Sequence, residues 1–401
     1  MRSRTLNSVI LSIACFCSLA TARLHGQDAA RAKSRARDLG VPFTGTPGPL
    51  NAITDVSGVT VGQTTLISGE GELVVGKGPI RTGVTAVLPR GTDSLNTPVF
   101  AGWWSLNGHG EMTGTTYVEE SGVLEGPVVI TNTHSVGTVH DAVIQWRVAH
   151  GPRDPTGYWW SLPVVAETWD GWLNDVNGFH VKPEHVFHAL DSAQSGPVEE
   201  GSVGGGTGMI CNEFKGGIGT SSRKLDAKVG GYTVGVLVQC NYGSRLGLRI
   251  AGVPVGQEIN QDRAYISTPF ADLDRGSIIV VVATDAPLLP HQLKRLARRV
   301  SLGLGRDGSI SGDGSGDIFI AFSTANPTAG AVGSPVDLKM LPNGKLDPIF
   351  SATVQATEEA VINAMVAADT MIGRDNHRVI GLPHDQLREV LRKYNRLIEH
   401  P

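Results

Sequence analysis

Residues 273–299, LDRGSIIVVVATDAPLLPHQLKRLARR, hold the strongest structural signal in this 401-residue chain. The run SIIVVVAT at 277–284 is continuously apolar and rich in β-branched residues, which is typical of a strand covered on both faces. The stretch before it, QEINQDRAYISTPFADLDRG at 257–276, is polar and aperiodic and indicates an exposed loop. We therefore expect this loop to deliver Ser277 to the head of a central strand.

An amphipathic helix is predicted to follow that strand. Leu293, Leu296, Ala297 and Val300 fall at i, i+3, i+4 and i+7, with basic residues on the opposite face and Gly303 closing the segment. Other patterns predict strands at 58–67, 83–89, 126–132 and 233–241, and two late helices at 357–371 and 384–397. With 51 glycines supplying turns, the sequence predicts an α/β protein.

The first 22 residues have the pattern of a secretory signal peptide. Arg2 and Arg4 precede a short apolar core at 8–19, and a small-residue cleavage site follows at 20–22. A lipoprotein signal through Cys15 is the less favoured alternative. The remaining residues 23–401 are expected to form a single exported domain, periplasmic or secreted, in which a Gly/Pro-rich arm up to residue 50 wraps a surface or a neighbour.

Charge and cysteine content restrict the partners and the compartment. Removal of the two leader arginines takes the net charge from -4 to -6, which disfavours nucleic acid and anionic membranes as partners. Cys211 and Cys240 remain after leader removal. A disulfide and two buried thiols are equally compatible with the sequence.

The Gly276–Ser277 pair has two interpretations. Of six Gly-Ser pairs in the chain, only this one begins a long strand of the buried type. The structural interpretation is a hydroxyl that satisfies a backbone group at the strand start. In the functional interpretation the peptide bond between the two residues is cut, and Ser277 gains an α-amine with a pKa of about 7.7 to 8.0, which can act as the base for its own hydroxyl.

Common motifs of other enzyme classes are missing from the sequence. It contains neither the G-x-S-x-G elbow of α/β-hydrolases nor the H-E-x-x-H pattern of zinc peptidases. The GGGTGM stretch at 204–209 lacks the ending of a phosphate-binding loop. We therefore expect no cofactor and no metal.

Six ordered blocks resemble the L-aminopeptidase/D-amidase-esterase and β-peptidyl aminopeptidase family of self-processing serine hydrolases. The resemblance runs from about residue 35 to the final helix. The blocks are RARDLGVPFTGTPGPLNAITDVSGVTVGQTTLI (35–67), VVAETWDGWLNDVNGFHV (164–181), GGGTGMICNEFKGGIGTSSR (204–223), VQCNYGSRLGLRIAGVPVG (238–256), RGSIIVVVATDAPLLPHQLKRLARRVSLGLGR (275–306) and GSGDIFIAFSTAN (314–326).

The resemblance implies a fold and a cleavage site. The fold would be a four-layer αββα sandwich resembling N-terminal-nucleophile hydrolases but with different connectivity. Cleavage between Gly276 and Ser277 would give chains 23–276 and 277–401, with Ser277 as nucleophile. Ser315 would relay the proton of the Ser277 hydroxyl, and Asp317, where some relatives have Glu, would hold Ser315 or the α-ammonium. The alternative for the GDGSGD stretch around Ser315 is an ordinary turn.

Three further positions match family residues that contact substrate. Asn241 would donate to the oxyanion from its side chain, although Asn after a strand is also a common turn former. Glu167 would receive the free amino group of the substrate. Trp169, where relatives carry Tyr or an aliphatic residue, would turn its backbone N–H into the oxyanion hole. Residues 107–111 also resemble a family block and are expected to line the pocket.

Together these features predict an exported, self-cleaving serine aminopeptidase. Its substrates would be small peptides, amides or esters with a free amine, and the resemblance implies a homotetramer. The alternatives are an acyltransferase or amide hydrolase of the same architecture, and an uncleaved binding protein without activity. The choice among L-α, D-α and β-amino residues stays open at this point.

Overall fold

A computed structural model of the chain describes residues 33–399, apart from 96, 152–155, 157–159, 267, 269–272, 275 and 332. Residues 34–401 form one compact unit. The predicted signal peptide at 1–22 lies outside the described residues.

The described residues form fourteen strands and eight α-helices. The strands are β1 (Thr60–Ser68), β2 (Ile80–Thr92), β3 (Val99–Ser105), β4 (Val123–Leu124), β5 (Val128–Asn132), β6 (Val164–Thr168), β7 (Ile210–Cys211), β8 (Phe214–Lys215), β9 (Gly217–Lys224), β10 (Thr233–Tyr242), β11 (Gly276–Thr284), β12 (Ser315–Ser323), β13 (Met371–Ile372) and β14 (Arg378–Val379). The helices are α1 (Thr115–Ser121), α2 (Val136–His150), α3 (Pro183–Asp191), α4 (Val255–Glu258), α5 (Pro290–Ala297), α6 (Val300–Arg306), α7 (Asp347–Val366) and α8 (His384–Lys393).

The larger sheet has six strands in the order β4-β3-β12-β11-β10-β9. Strand β11 pairs antiparallel with β10 and parallel with β12, so it has a neighbour on each side. All of its residues after Gly276 are buried. The prediction of a central strand covered on both faces is confirmed.

A second sheet of four strands, in the order β1-β2-β5-β6, packs against the first. The layer between the two sheets contains Ile279 and Val281 from β11 together with Ile130 from β5 and Ala166 from β6. Side chains alternate along a strand, so the intervening residues of each sheet face outward.

Helices cover both outward faces. Residues of α5, α6, α7 and α8 share one core cluster with the outward side of the six-stranded sheet, and residues of α2 and α3 share another with the four-stranded sheet. The layer order is therefore helix, sheet, sheet, helix. This confirms the predicted αββα sandwich.

The helix boundaries differ from those that the sequence predicted. The single helix expected to end at Gly303 is two helices, because α5 ends at Ala297 and α6 begins at Val300. Gly303 lies inside α6, where an added Cβ would come within 2.6 Å of the Thr357 Cβ on α7. This glycine allows two helices to approach closely and does not end one. Helix α7 also begins and ends earlier than predicted, and α1, α2 and α3 were not predicted.

The arm before β1 packs on its own domain. The backbone N–H of Ala36 donates to the Asn363 side chain, and Arg37 pairs with the buried carboxylate of Glu359 at 2.7 Å. Arg223 of β9 pairs with the same carboxylate, also at 2.7 Å. Of the two expectations for the arm, the described part follows the one in which it wraps a surface of its own chain.

Three further features bear on the predictions. The described part of the loop before β11 is exposed at Ile266 and Leu273, which are 64% and 51% accessible. Cys211 of β7 and Cys240 of β10 form a disulfide with a Cα–Cα distance of 5.5 Å. No helix of the part of the chain that the structure describes is long and apolar enough to cross a membrane.

Candidate active site

The backbone at the start of β11 requires glycine at position 276. Gly276 lies opposite Tyr242 in the sheet with φ +98°, a conformation that residues with a side chain rarely adopt. A Cβ at this position would also lie 2.0 Å from the carbonyl oxygen of Asn241. The position just before Ser277 therefore accommodates glycine and no larger residue.

The Ser277 side chain points into the layer between the two sheets. The next residue, Ile278, packs on the helix side of the large sheet, and Ile279 packs between the sheets. Because side chains alternate along a strand, Ser277 shares the side of Ile279. It is only 6% exposed, yet it lines a cavity that opens at this end of β11.

This cavity has a volume of about 500 Å³ and brings three predicted site residues together. Ser277, Asn241 and Trp169 all line it, as does His109, which confirms the predicted pocket role of the 107–111 segment at that residue. A wider groove of about 620 Å³ lies elsewhere, between residues 261–262 and 366–386. We place the chemistry in the smaller cavity, because the wider groove contains none of the predicted site residues.

Ser315 and Asp317 lie on the neighbouring strand β12, where Ser315 is opposite Gly276. The Ser315 hydroxyl donates to the Asp317 carboxylate at 2.6 Å. Both side chains are buried and lie on the helix side of the sheet with Phe319. Ser277 faces the other side, so this pair lies beside the backbone of residues 276–278 and not beside the Ser277 hydroxyl.

Burial raises the pKa of Asp317 to about 6. Hydrogen bonds from Ser315, Ser311 and the backbone N–H of Ile278 lower this pKa, and the nearby Asp274 carboxylate raises it. The parallel register of β11 and β12 pairs Asp317 with Ile278, which places this residue one position along the strand from Ser277. A positive charge on the Ser277 nitrogen would therefore meet a buried carboxylate.

Asn241 faces Ser277 directly across the β10–β11 pair. Its side-chain oxygen accepts from the backbone N–H of Ile210 at 2.8 Å, and its Nδ2 donates to the carbonyl oxygen of Trp169 at 2.9 Å. An amide nitrogen carries two hydrogens, and the second has no acceptor among the described residues. The amide is therefore fixed in orientation with one donor free.

Glu167 is the next-to-last residue of β6 and lies just behind the cavity wall. It is 97% buried, since only 3% of it is exposed, and its carboxylate accepts from the backbone N–H of Glu111 at 3.0 Å and from the Thr133 hydroxyl. Burial raises the pKa of Glu167, and these two hydrogen bonds lower it. The carboxylate lies close to Gly110, next to the His109 that lines the cavity, but does not line the cavity itself.

Comparison with known proteins identifies the family. The family model "Peptidase family S58" matches residues 51–379. The chain belongs to peptidase family S58. A β-peptidyl aminopeptidase of Sphingosinicella microcystinivorans is 58% identical over 374 residues, which cover 90% of this chain and 93% of the relative. A second β-peptidyl aminopeptidase, from Sphingosinicella xenopeptidilytica, is 50% identical over 96% of this chain and 95% of its own length.

Solved structures of similar proteins agree with the sequence match. An L-aminopeptidase D-Ala-esterase/amidase of Ochrobactrum anthropi, described as a prototype for the serine aminopeptidases, has a TM-score of 0.84 at 51% identity and covers 91% of this chain and all of its own. A β-aminopeptidase of Burkholderia sp. has a TM-score of 0.81 at 48% identity, over 90% of this chain and 99% of its own. This S58 peptidase is therefore a hydrolase of the serine aminopeptidase type, with the fold of its family.

Several residues that line the cavity of this S58 peptidase were not predicted from the sequence. Trp172, Ile210, Tyr265 and Arg374 form one wall of it. Trp172 contacts Tyr265 edge-on, with ring centroids 5.0 Å apart. These residues come from four separate segments with no shared spacing, so only the folded chain shows that they belong together.

Proposed function

We propose that this S58 peptidase is exported, cuts its own chain between Gly276 and Ser277, and then uses Ser277 to release N-terminal residues from small substrates. The observation that carries the proposal is the position of Ser277. It is the first buried residue of the central strand β11, lines the cavity, and follows a glycine whose backbone conformation disfavours other residues.

Self-cleavage would proceed through the Ser277 hydroxyl. Its oxygen attacks the carbonyl carbon of Gly276, the bond from that carbon to the Ser277 nitrogen breaks, and the nitrogen takes up a proton. Water then hydrolyses the resulting ester. The products are a carboxylate on Gly276, a restored hydroxyl and a free α-amine on Ser277.

The same hydroxyl would then attack the substrate. The α-amine of Ser277 removes the hydroxyl proton, since an N-terminal residue carries its own base. The proton passes to the leaving amine, and water hydrolyses the acyl-enzyme to restore Ser277. The buried Ser315–Asp317 pair lies beside the Ser277 nitrogen, which suits it to hold the α-ammonium form.

Charge on the substrate oxygen would be stabilised from two directions. The free N–H of Asn241 is held in orientation by its bond to Trp169, and the backbone N–H of Trp169 is the second proposed donor. Loss of one such donor typically lowers turnover about 10²- to 10³-fold. We assign the oxyanion hole to these two residues.

Glu167 would receive the free amino group of the substrate. Its carboxylate lies next to the His109 wall, and an ion pair there would restrict cleavage to N-terminal residues. Because two relatives at 58% and 50% identity are β-peptidyl aminopeptidases, we propose that N-terminal β-amino residues are among the substrates. The disulfide between Cys211 and Cys240 supports export to an oxidising compartment.

The first experiment measures intact masses and N-terminal sequences of the purified protein. We expect two fragments, the smaller one beginning SIIVVVAT at Ser277. The S277A variant should stay uncut and lose cleavage of β-alanyl p-nitroanilide. The S334A variant removes an exposed serine from another Gly-Ser pair and is the matched control.

Two outcomes would contradict the proposal. One is an S277A protein that still matures into two chains, and the other is an S277A protein that keeps its activity.

N-acetylated β-alanyl p-nitroanilide tests the need for a free amine, and equal cleavage of the blocked and free substrates would remove the role of Glu167.

A further inference from the structure

One cation, Arg374, stands in the wall of the active-site cavity. It lies in the turn between β13 and β14, and the cavity that holds Ser277 is lined by this residue together with Trp172, Ile210 and Tyr265. Among the described residues that line the cavity there is no carboxylate. The permanent positive charge of this wall is therefore that of Arg374.

The turn is held in place by groups other than the Arg374 side chain. The backbone N–H of Arg374 donates to the carbonyl oxygen of Leu173 at 2.9 Å. His377 stacks on Trp172 with ring centroids 3.9 Å apart and contacts its carbonyl oxygen through Nδ1 at 2.9 Å. From the other side, Arg81 Nε donates to the carbonyl oxygen of Ile372 at 2.9 Å.

The guanidinium of Arg374 makes few polar contacts with the described residues. Nη1 lies 3.5 Å from a carboxylate oxygen of the adjacent Asp375, whose other oxygen already accepts from the backbone N–H of Leu73. The Nε atom is buried without a hydrogen-bond partner among the described residues. Because the side chain lines the cavity and remains 25% exposed, its guanidinium is suited to bind a carboxylate through two parallel hydrogen bonds.

We propose that Arg374 binds the free carboxylate of the leaving group, so that the enzyme prefers peptides whose second residue is the C-terminal one. The inference rests on the proposed function, since it assumes that Ser277 attacks in this cavity. Glu167 lies behind the wall formed by His109, while Arg374 stands on the wall formed by Trp172 and Tyr265. A dipeptide, about 7 Å long at roughly 3.3–3.6 Å per residue, carries an amine at one end and a carboxylate at the other, which are the two groups that Glu167 and Arg374 would bind.

The test compares β-alanyl-leucine with β-alanyl-leucinamide, which differ only in the terminal charge. The R374Q variant should lose about 10- to 100-fold more kcat/KM on the acid than on the amide, mainly through KM, because a charge-assisted hydrogen bond is lost. The R374K variant should recover part of this loss, since it keeps the charge without the planar fork. The R378Q variant, from the same hairpin but outside the cavity wall, should leave the ratio within about twofold.

A measurement on the wild-type enzyme does not depend on the folding of any variant. Free leucine should inhibit cleavage of β-alanyl p-nitroanilide at a concentration about tenfold lower than leucinamide does. Equal inhibition by the two compounds, or an R374Q variant with an unchanged acid-to-amide ratio, would overturn the role of Arg374 while the proposed function stands. A wild-type enzyme that cleaves none of the three substrates would overturn the proposed function and this inference together.

Discussion

Asp317 carries a buried carboxyl group beside the nitrogen of Ser277. Burial is the largest influence on it and raises its pKa to about 6, and the charged side chain that adds to this rise is another carboxylate, Asp274. An uncut chain therefore holds a carboxylate in an environment that disfavours its charge. Cleavage would supply an α-ammonium at the neighbouring nitrogen, which favours the charged form.

The energetic cost of burying the charged Asp317 carboxylate should appear in the uncut S277A variant as a pH dependence of its stability. The pKa of Asp317 is raised from 3.8 to about 6 in the folded chain, so the native state binds more protons than the unfolded state between about pH 4 and pH 6. The free energy of unfolding should therefore fall as pH rises through this window. We expect S277A to lose about 2 kcal/mol relative to S277A/D317N between pH 4 and pH 7.

Denaturant unfolding of S277A and S277A/D317N across this pH range measures the difference between their free energies of unfolding. The control is S277A/D313N, because Asp313 is an exposed carboxylate in the segment just before β12. A difference between S277A and S277A/D317N that stays constant with pH would show that Asp317 carries no such penalty.

The sequence identified the residues of this site better than the faces of the sheet on which their side chains lie. Ser277, Asn241 and Trp169 line one cavity. The strand pattern singled out Ser277, whereas Asn241 and Trp169 were expected from the family resemblance. The predicted contact between the hydroxyls of Ser315 and Ser277 depends on which face each side chain takes. That face is set by the register of β11 against β12, which places Ser277 opposite Gly316 and cannot be obtained from either strand alone.

At the scale of elements, strand patterns were more informative than helix patterns. The strand β11 is buried on both faces, so its sequence is continuously apolar and unmistakable. Helix α2 buries a row of residues from Val139 to Trp146 at helical spacing, but Ile144 and Val148 outside that row are also apolar, so no single stripe is distinct in the sequence. It was missed for that reason.

The disulfide ties two elements that position the oxyanion donor. Cys211 in β7 follows Ile210, whose backbone N–H holds the Asn241 side chain, and Cys240 precedes Asn241 in β10. Removing this cross-link should therefore affect both stability and the orientation of the amide. A closed loop with a sequence separation of 29 residues typically contributes about 3 kcal/mol to stability.

We expect the C211A/C240A variant to unfold with a free energy about 3 kcal/mol lower than wild type and to turn over more slowly at saturating substrate. Chemical denaturation and kcat are the two measurements. Wild-type protein treated with a thiol reductant should show the same changes, which separates loss of the bond from the effect of the substitutions. Unchanged stability in both samples would show that the bond does not form in solution.

At the scale of the whole molecule, the proposed cut would divide the sheet in an unusual way. The smaller fragment, 277–401, would supply β11 and β12, which lie in the interior of the six-stranded sheet. The larger fragment would supply β10 on one side and β3 on the other. Each fragment would therefore complete the hydrogen bonds of the other.

Packing outside the sheet joins the fragments as well. Helix α7 of the smaller fragment packs on β9 and β10 of the larger one, within the same core cluster as β11. Neither fragment could keep a buried core if the other left, because its apolar faces and strand edges would meet water. The cleaved protein should behave as one folding unit.

We therefore expect the two fragments to co-elute in native size-exclusion chromatography and to separate only in denaturant. Thermal unfolding should show one transition, since the sheets and helices that make up the core come from both fragments. Unfolding of the cleaved protein releases two chains, so its midpoint should rise with protein concentration more steeply than that of uncut S277A, which has the same core and releases one. Fragments that elute apart under native conditions, or two separate transitions, would mean that the pieces fold independently and that the interleaved sheet is not what holds them together.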